Sequence, residues 1–170
     1  MHIDPDHLAI RPATDADGNA VAHLIAGVFA EYDGCPFVFD EFPELVAPAS
    51  HFAAHGGALF LLVTAADRVV GSVGYSRPEP GVAELHKLYL VKELRGRGLA
   101  GRLFSEVTAA LAGSDVGAIR LWTDTRFESG HRFYERLGFR RQPTTRFLAD
   151  ATNAWEYAYR LDLGGDAPAP

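Results

Sequence analysis

The pattern with the clearest chemistry is the glycine-rich segment at residues 95–101, which has the sequence RGRGLAG. It lies between a predicted strand and a predicted helix, so its backbone N–H groups would point at whatever occupies the N-terminal end of that helix. The glycines allow an anion to approach the backbone closely, and Arg95 and Arg97 add positive charge. The segment therefore predicts a site for a phosphate or pyrophosphate group.

The same segment also matches the G-x-G-x-x-G pattern of dinucleotide-binding domains, with Asp124 near the expected distance downstream. In those domains the first glycine follows its strand closely and several more strand–helix units come afterwards. Here residues 92–95 intervene and one further helix is predicted. Dinucleotide binding is therefore kept as an alternative.

Three other groups of residues have weaker chemical signals. His51 and His55 have the i, i+4 spacing of two metal ligands but lack the accompanying glutamate, so we expect no metal site. Cys35 has no motif that would supply a base, so we expect a structural or loop thiol. Aromatic and acidic residues in one segment would suit an ammonium-bearing ligand or would pack on the sheet: Tyr32, Asp33, Phe37, Phe39, Asp40, Glu41, Phe42 and Glu44.

Hydrophobic periodicity predicts the elements that position these residues. A helix is expected within residues 11–32, after a capping-box pattern at Thr14 and Asp17, and a prolyl-interrupted segment follows at 32–50. Apolar runs at 58–64, 68–76 and 82–91 predict an antiparallel meander.

The second half of the chain predicts a helix at 99–111, a strand at 118–124 paired in parallel with the strand at 82–91, a short helix at 129–137 ended by Gly138, and a strand at 154–161. The fold class is α/β: a mixed sheet, antiparallel first and partly parallel later, with helices on both faces. In the strand at 82–91, simple alternation puts Glu84, His86 and Leu88 on one face unless a β-bulge intervenes.

Composition limits the class of protein. The 170 residues suit one domain at 1–163, with a disordered tail at 164–170. A net charge of -6 argues against nucleic-acid binding, and one cysteine excludes a disulfide framework. The N-terminus does not resemble a signal peptide and no apolar run is long enough to span a membrane, so we expect a cytoplasmic protein without a membrane partner.

Together with its flanks, the loop closely resembles the GCN5-related N-acetyltransferase (GNAT) family. The resemblance rests on Arg95-x-x-Gly98-x-Ala100 after the strand AELHKLYLV, then LWTDT, then HRFYERLGF at 131–139, with IRPATDAD at 10–17 similar to the first strand and helix start. It covers residues 8–161 and implies a GNAT-like fold and an N-acetyltransferase activity by direct attack in a ternary complex.

The resemblance implies acetyl-CoA as the co-substrate. Its pantetheine arm would bind the backbone of Leu88 and Leu90, and its pyrophosphate would bind the loop residues Arg95, Gly96, Arg97, Gly98, Leu99, Ala100 and Gly101. The acceptor would be a small-molecule or peptide amine, and a homodimer is possible. A non-catalytic acyl-CoA sensor or scaffold is the alternative from another class.

The resemblance also implies two catalytic residues. Tyr134 would donate a proton to the leaving thiolate, and Glu84 would accept the proton of the amine, directly or through water. Many relatives have Asn seven residues before the tyrosine, but this chain has Phe127, so we expect no cofactor contact from that motif position. His131 is expected to be structural.

Overall fold

Residues 3–164 of the computed structural model are described, and their strands form one mixed sheet in the order β1-β2-β3-β4-β5-β7-β6. The strands are β1 (Leu8–Pro12), β2 (Ala58–Thr64), β3 (Val69–Glu79), β4 (Val82–Leu90), β5 (Ala118–Asp124), β6 (Arg140–Phe147) and β7 (Trp155–Asp162). The helices are α1 (Gly18–Phe29), α2 (Pro48–Ala54), α3 (Leu99–Leu111) and α4 (Glu128–Arg136). Residues 165–170 of the predicted tail lie outside the described residues.

The predicted mixed α/β architecture is confirmed. The α3 and β5 bounds are those expected from periodicity, and β4 pairs in parallel with β5 while β1 to β4 form antiparallel neighbours. Helices cover both faces: apolar residues of α3 belong to one buried cluster, and those of α1 and α2 belong to the other. The arrangement has one parallel strand pair within residues 3–164, so it does not support the dinucleotide-binding alternative.

The predicted capping box before α1 is also present. The Asp17 carboxylate accepts hydrogen bonds from Thr14 N at 2.7 Å and from Thr14 Oγ1 at 2.9 Å. The guanidinium of Arg11 adds a bidentate ion pair at 2.8 and 2.9 Å, and its hydrogen bonds lower the pKa of Asp17 to about 2. These contacts fix the start of α1 against β1.

Two elements differ from the sequence expectation. No strand was predicted at β6, which lies at the edge of the sheet; its residues are mostly exposed and include Pro143, so it lacks a hydrophobic alternation. Pro36, Pro43 and Pro48 were expected to interrupt any long helix in the segment 32–50; Pro48 instead begins the short helix α2, because proline at the first helical position loses no intrahelical hydrogen bond.

The sheet opens between its two central strands. β4 and β5 are paired only at Val82↔Ala118, Ala83↔Ile119 and Glu84↔Arg120. Beyond this point β5 stays paired with β7 as far as Asp124, and β4 stays paired with β3. The facing edges of β4 and β5 are therefore free to bind a ligand. Among the described residues, no helix is long and apolar enough to cross a bilayer.

Candidate active site

Two clefts meet where β4 and β5 separate. The loop-side cleft, of about 500 Å³, extends from the end of β4 along the start of α3. The acidic cleft, of about 490 Å³, lies between β4, the loop before α2 and the β6–β7 connection. Both clefts are lined by Leu88, Tyr89, Thr123, Phe127 and Tyr134, so a molecule in one can meet a molecule in the other.

The loop-side cleft contains most of the residues predicted to bind phosphate. Gly96 and Gly98 both have φ of +75°, a left-handed conformation that favours glycine, and α3 starts at the next residue. The predicted residues that line this cleft are Leu88, Leu90, Arg95, Gly96, Gly98, Leu99, Ala100 and Gly101. Arg97 is exposed and is absent from the lining.

The side chain of Arg95 forms an ion pair and hydrogen bonds within the protein. Its guanidinium pairs with the Glu31 carboxylate at 2.6 and 2.8 Å and donates to the Leu90 carbonyl at 2.9 and 3.1 Å. It therefore joins the turn after α1, the end of β4 and the loop, and its charge is largely compensated. Arg136 in the last turn of α4 also lines this cleft and was not predicted as a site residue.

A β-bulge shapes the part of β4 that both clefts share. Ser72 of β3 faces Tyr89 and Gly74 faces His86, so three residue steps on β4 oppose two on β3. The extra residue, Lys87, has φ of +53°. The fully buried Ser72 hydroxyl donates to the Lys87 carbonyl at 2.6 Å and holds the bulge.

The bulge reverses the alternation of side chains along β4. Leu88 packs with Leu85 on the α3 side of the sheet, whereas His86 lies against Phe52 of α2, with ring centroids 5.8 Å apart. The bulge that would change the simple alternation is therefore present, and Leu88 does not share a face with Glu84 and His86, because one inserted residue shifts the period-two pattern.

Tyr134 lies at the junction of the two clefts. Its ring is buried against Phe139 and Tyr159, at centroid distances of 5.7 and 6.1 Å, and burial raises the pKa of its hydroxyl. Within residues 3–164 the Tyr134 hydroxyl has no hydrogen-bond partner. Every side-chain oxygen of those residues that is fully enclosed does have a partner, so the Tyr134 hydroxyl is not fully enclosed. The Tyr134 hydroxyl is therefore protonated and open to the clefts.

Glu84 lies in the acidic cleft and is held by its neighbours. Its Oε2 accepts from Arg120 Nε at 2.7 Å, and its Oε1 is 3.8 Å from His86 Nε2. The His86 ring nitrogen also shares a 2.8 Å hydrogen bond with Ser76 Oγ. Burial lowers the pKa of His86, so its imidazole is neutral near pH 7.

Carboxylates dominate the acidic cleft. Its lining carboxylates are Glu41, Glu44, Glu84, Asp124, Asp150 and Glu156. The lining cations Lys87 and Arg146 each pair with one of them, Glu44 and Glu156 respectively. Arg126 pairs with Asp124 at 2.6 Å. The cleft therefore keeps a net negative charge, which favours a cationic ligand.

The predicted aromatic and acidic group before α2 contributes only partly to this cleft. Glu41, Phe42 and Glu44 line it, whereas Tyr32 lines the loop-side cleft. Phe37 stacks on Phe42 at 4.9 Å. Tyr89 lines both clefts and was not predicted, because the bulge changes the face on which its side chain lies.

The residues with weaker signals line neither cleft. His131 shares a 2.9 Å hydrogen bond with the Asp124 carbonyl and stacks on Tyr159, as expected for a structural residue. Cys35 is buried, and burial raises the pKa of its thiol. His51 stacks on His55 at 4.4 Å, and no cluster of three metal-ligating side chains occurs within the described part of the chain.

A family model and curated relatives match this chain. A family model described as the acetyltransferase (GNAT) family matches residues 22–139. An uncharacterized N-acetyltransferase of Mycobacterium tuberculosis strain H37Rv is 34% identical over 98 residues, which cover 56% of this chain. The matched segment spans 62% of the length of that curated relative.

Solved structures share the fold. A GNAT-family acetyltransferase from Staphylococcus aureus has a TM-score of 0.78 and 19% identity, over 92% of this chain and 99% of its own. A phosphinothricin acetyltransferase from Sinorhizobium meliloti, solved in complex with AcCoA, has a TM-score of 0.68 and 18% identity, over 92% of this chain and 89% of its own.

The bond that holds the bulge gives a testable prediction. Ser72→Ala should lower the free energy of unfolding by about 1–3 kcal/mol, because it leaves the Lys87 carbonyl without its partner. Urea unfolding measures this change, and hydrogen exchange should rise at residues 86–89. Ser105→Ala, which removes an exposed hydroxyl on α3, is the control. Equal unfolding free energies for the two variants would show that Ser72 does not hold the bulge.

Proposed function

Because the chain belongs to the GNAT acetyltransferase family, whose model matches residues 22–139, we propose that it transfers the acetyl group of acetyl-CoA to an amine. The observation that carries the proposal is the meeting of two clefts at Tyr134, in the gap between β4 and β5. One cleft offers backbone and a helix N-terminus for an anionic cofactor. The other offers carboxylates for a cationic acceptor.

Acetyl-CoA fits the loop-side cleft in its chemistry. The N–H groups at the start of α3 and the two left-handed glycines would bind the pyrophosphate. The free edge of β4 at Leu88 would bind the amide groups of the pantetheine arm, as an added strand does. Arg136 would add positive charge at the other wall of the cleft.

The reaction needs proton transfers at the amine and at the thiolate. The acceptor ammonium loses a proton to Glu84, directly or through water, and the free amine attacks the thioester carbonyl. The C–N bond forms and the C–S bond breaks. Tyr134 donates its proton to the CoA thiolate, and the second proton of the amine nitrogen, lost as the amide forms, passes through water to reprotonate Tyr134. Because burial raises the pKa of Tyr134, this residue keeps its proton until the thiolate forms.

The charge of the acidic cleft supports a small cationic amine as the acceptor. Its lining cations are already paired with carboxylates, whereas Glu41 and Asp150 receive only backbone and hydroxyl hydrogen bonds within the described residues. A volume of about 490 Å³ is in the range of small-molecule sites.

A thermal-shift experiment tests cofactor binding. Acetyl-CoA and CoA should each raise the melting temperature, because a ligand at about 100 times its Kd adds roughly 2.7 kcal/mol of stability. NAD at the same concentration is the control and should produce no shift. A panel of amines, followed by release of the CoA thiol, then tests transfer. Stabilisation without turnover of any amine would favour an acyl-CoA sensor instead.

Tyr134→Phe should lower kcat by about 100-fold or more, because it removes the proton donor to the thiolate. The affinity for acetyl-CoA should stay unchanged, since the ring is retained. Steady-state kinetics and calorimetry measure the two quantities. Tyr75→Phe removes a hydroxyl from a buried tyrosine that lines neither cleft and serves as the control. A kcat equal to that of the control would remove Tyr134 from the donor role.

Glu84→Gln should lower kcat/KM for the amine, because it removes the carboxylate that accepts the amine proton, and steady-state kinetics across a range of pH measures this change. His86→Gln is the matched variant, because His86 is the neighbouring group that is also able to accept a proton. A pH–rate profile changed by His86→Gln and left intact by Glu84→Gln would assign the base to His86.

A further inference from the structure

The acidic cleft contains a complete binding site for an ammonium ion, and the protein's own Lys87 occupies it. The Nζ of Lys87 forms an ion pair with Glu44 Oε1 and lies 4.7 Å from the centroid of the Phe42 ring. The two charged side chains are only 15% and 16% exposed. A carboxylate beside an aromatic face is the arrangement that recognises an alkylammonium group.

The aromatic part of this site is fixed by its surroundings. Phe42 stacks on Phe37 at 4.9 Å and meets Phe29 of α1 edge-on at 6.1 Å. Leu45, one residue after Glu44, is 1% exposed and anchors the same segment in the core. The site would therefore persist after loss of the lysine side chain.

The position of the lysine is also fixed. Lys87 adopts a left-handed backbone conformation that L side chains rarely adopt, and the buried Ser72 holds its carbonyl. The bulge thus directs this ammonium into the cleft that the acceptor would enter. The other lining cation, Arg146, is committed elsewhere: it pairs with Glu156 and lies over the Trp122 ring at 4.3 Å.

We propose that Lys87 is a specificity-determining residue: its ammonium fills the cation site of Glu44 and Phe42 and so excludes acceptors that carry a second ammonium group. The inference rests on the proposed function, in which the acidic cleft receives the amine. It predicts that the chain prefers monoamines to diamines of the same length. Neutralising Lys87 opens the site to the distal ammonium of a diamine.

The test compares butylamine with 1,4-diaminobutane. Calorimetry measures binding of each amine to the CoA-loaded full chain of the parent, Lys87→Met and Lys87→Arg. We expect Lys87→Met to raise the affinity for the diamine about tenfold more than the affinity for butylamine, because only the diamine can place one ammonium in the opened site and the other at the acceptor position. Lys87→Arg retains the cation and should behave like the parent.

A double variant identifies the carboxylate. Adding Glu44→Gln to Lys87→Met should remove the gain in diamine affinity. Lys87→Gln serves as a second neutral variant if the methionine variant does not fold, which circular dichroism shows. A purely structural role for Lys87 would weaken binding of both amines and would produce no selective gain.

The outcomes separate this inference from the proposed function. An unchanged diamine affinity in both neutral variants, or a gain that survives Glu44→Gln, would overturn the role of Lys87 even if butylamine is acetylated. A selective gain without acetyl transfer to any amine would support the cation site while overturning the transferase activity. A selective gain with higher kcat/KM for the diamine would support both.

Discussion

The site depends on one constraint: two neighbouring parallel strands pair over three residues and then separate. β4 continues beside β3 and β5 continues beside β7, so each is held rigidly on one edge and free on the other. Backbone N–H and C=O groups at such an edge need water or a ligand as partners, which makes the gap a binding surface rather than a defect. Tyr134 of α4 lies at this gap and lines both clefts.

The bulge at Lys87 adapts β4 to this gap. Without the extra residue, the side chains of β4 would keep one alternation, and Tyr89 could not share the acceptor side with Glu84. With the extra residue, the partly buried side chain of Leu88 packs against the core on the α3 side. Glu84, His86 and Tyr89 then line the acidic cleft. The left-handed conformation is costly for lysine, and it persists because Ser72 holds the carbonyl of Lys87 while Glu44 and Phe42 hold its ammonium.

The sequence predicted the elements whose signals are local. α3 and β5 have apolar residues at regular spacing, and their bounds agree with the structure. β6 was missed because an exposed edge strand has no core-facing period. The bulge, the pairing of Arg95 with Glu31 and the pairing of Lys87 with Glu44 were also beyond prediction, since their partners are separated by 15, 64 and 43 residues and meet only in the folded chain.

A chain with a net charge of -6 must bind a polyanionic cofactor without a strongly basic surface. Arg95 does not solve this problem, because Glu31 and the Leu90 carbonyl occupy its guanidinium. In the proposed function the start of α3 solves it, because backbone N–H groups and the helix dipole attract phosphate regardless of the charge elsewhere. The excess of carboxylates then lies in the other cleft, where the proposed acceptor carries an ammonium group. Tyr89, Phe127 and Tyr134 line both clefts, so aromatic rings lie at the junction between the end proposed for the anionic cofactor and the end proposed for the cationic acceptor.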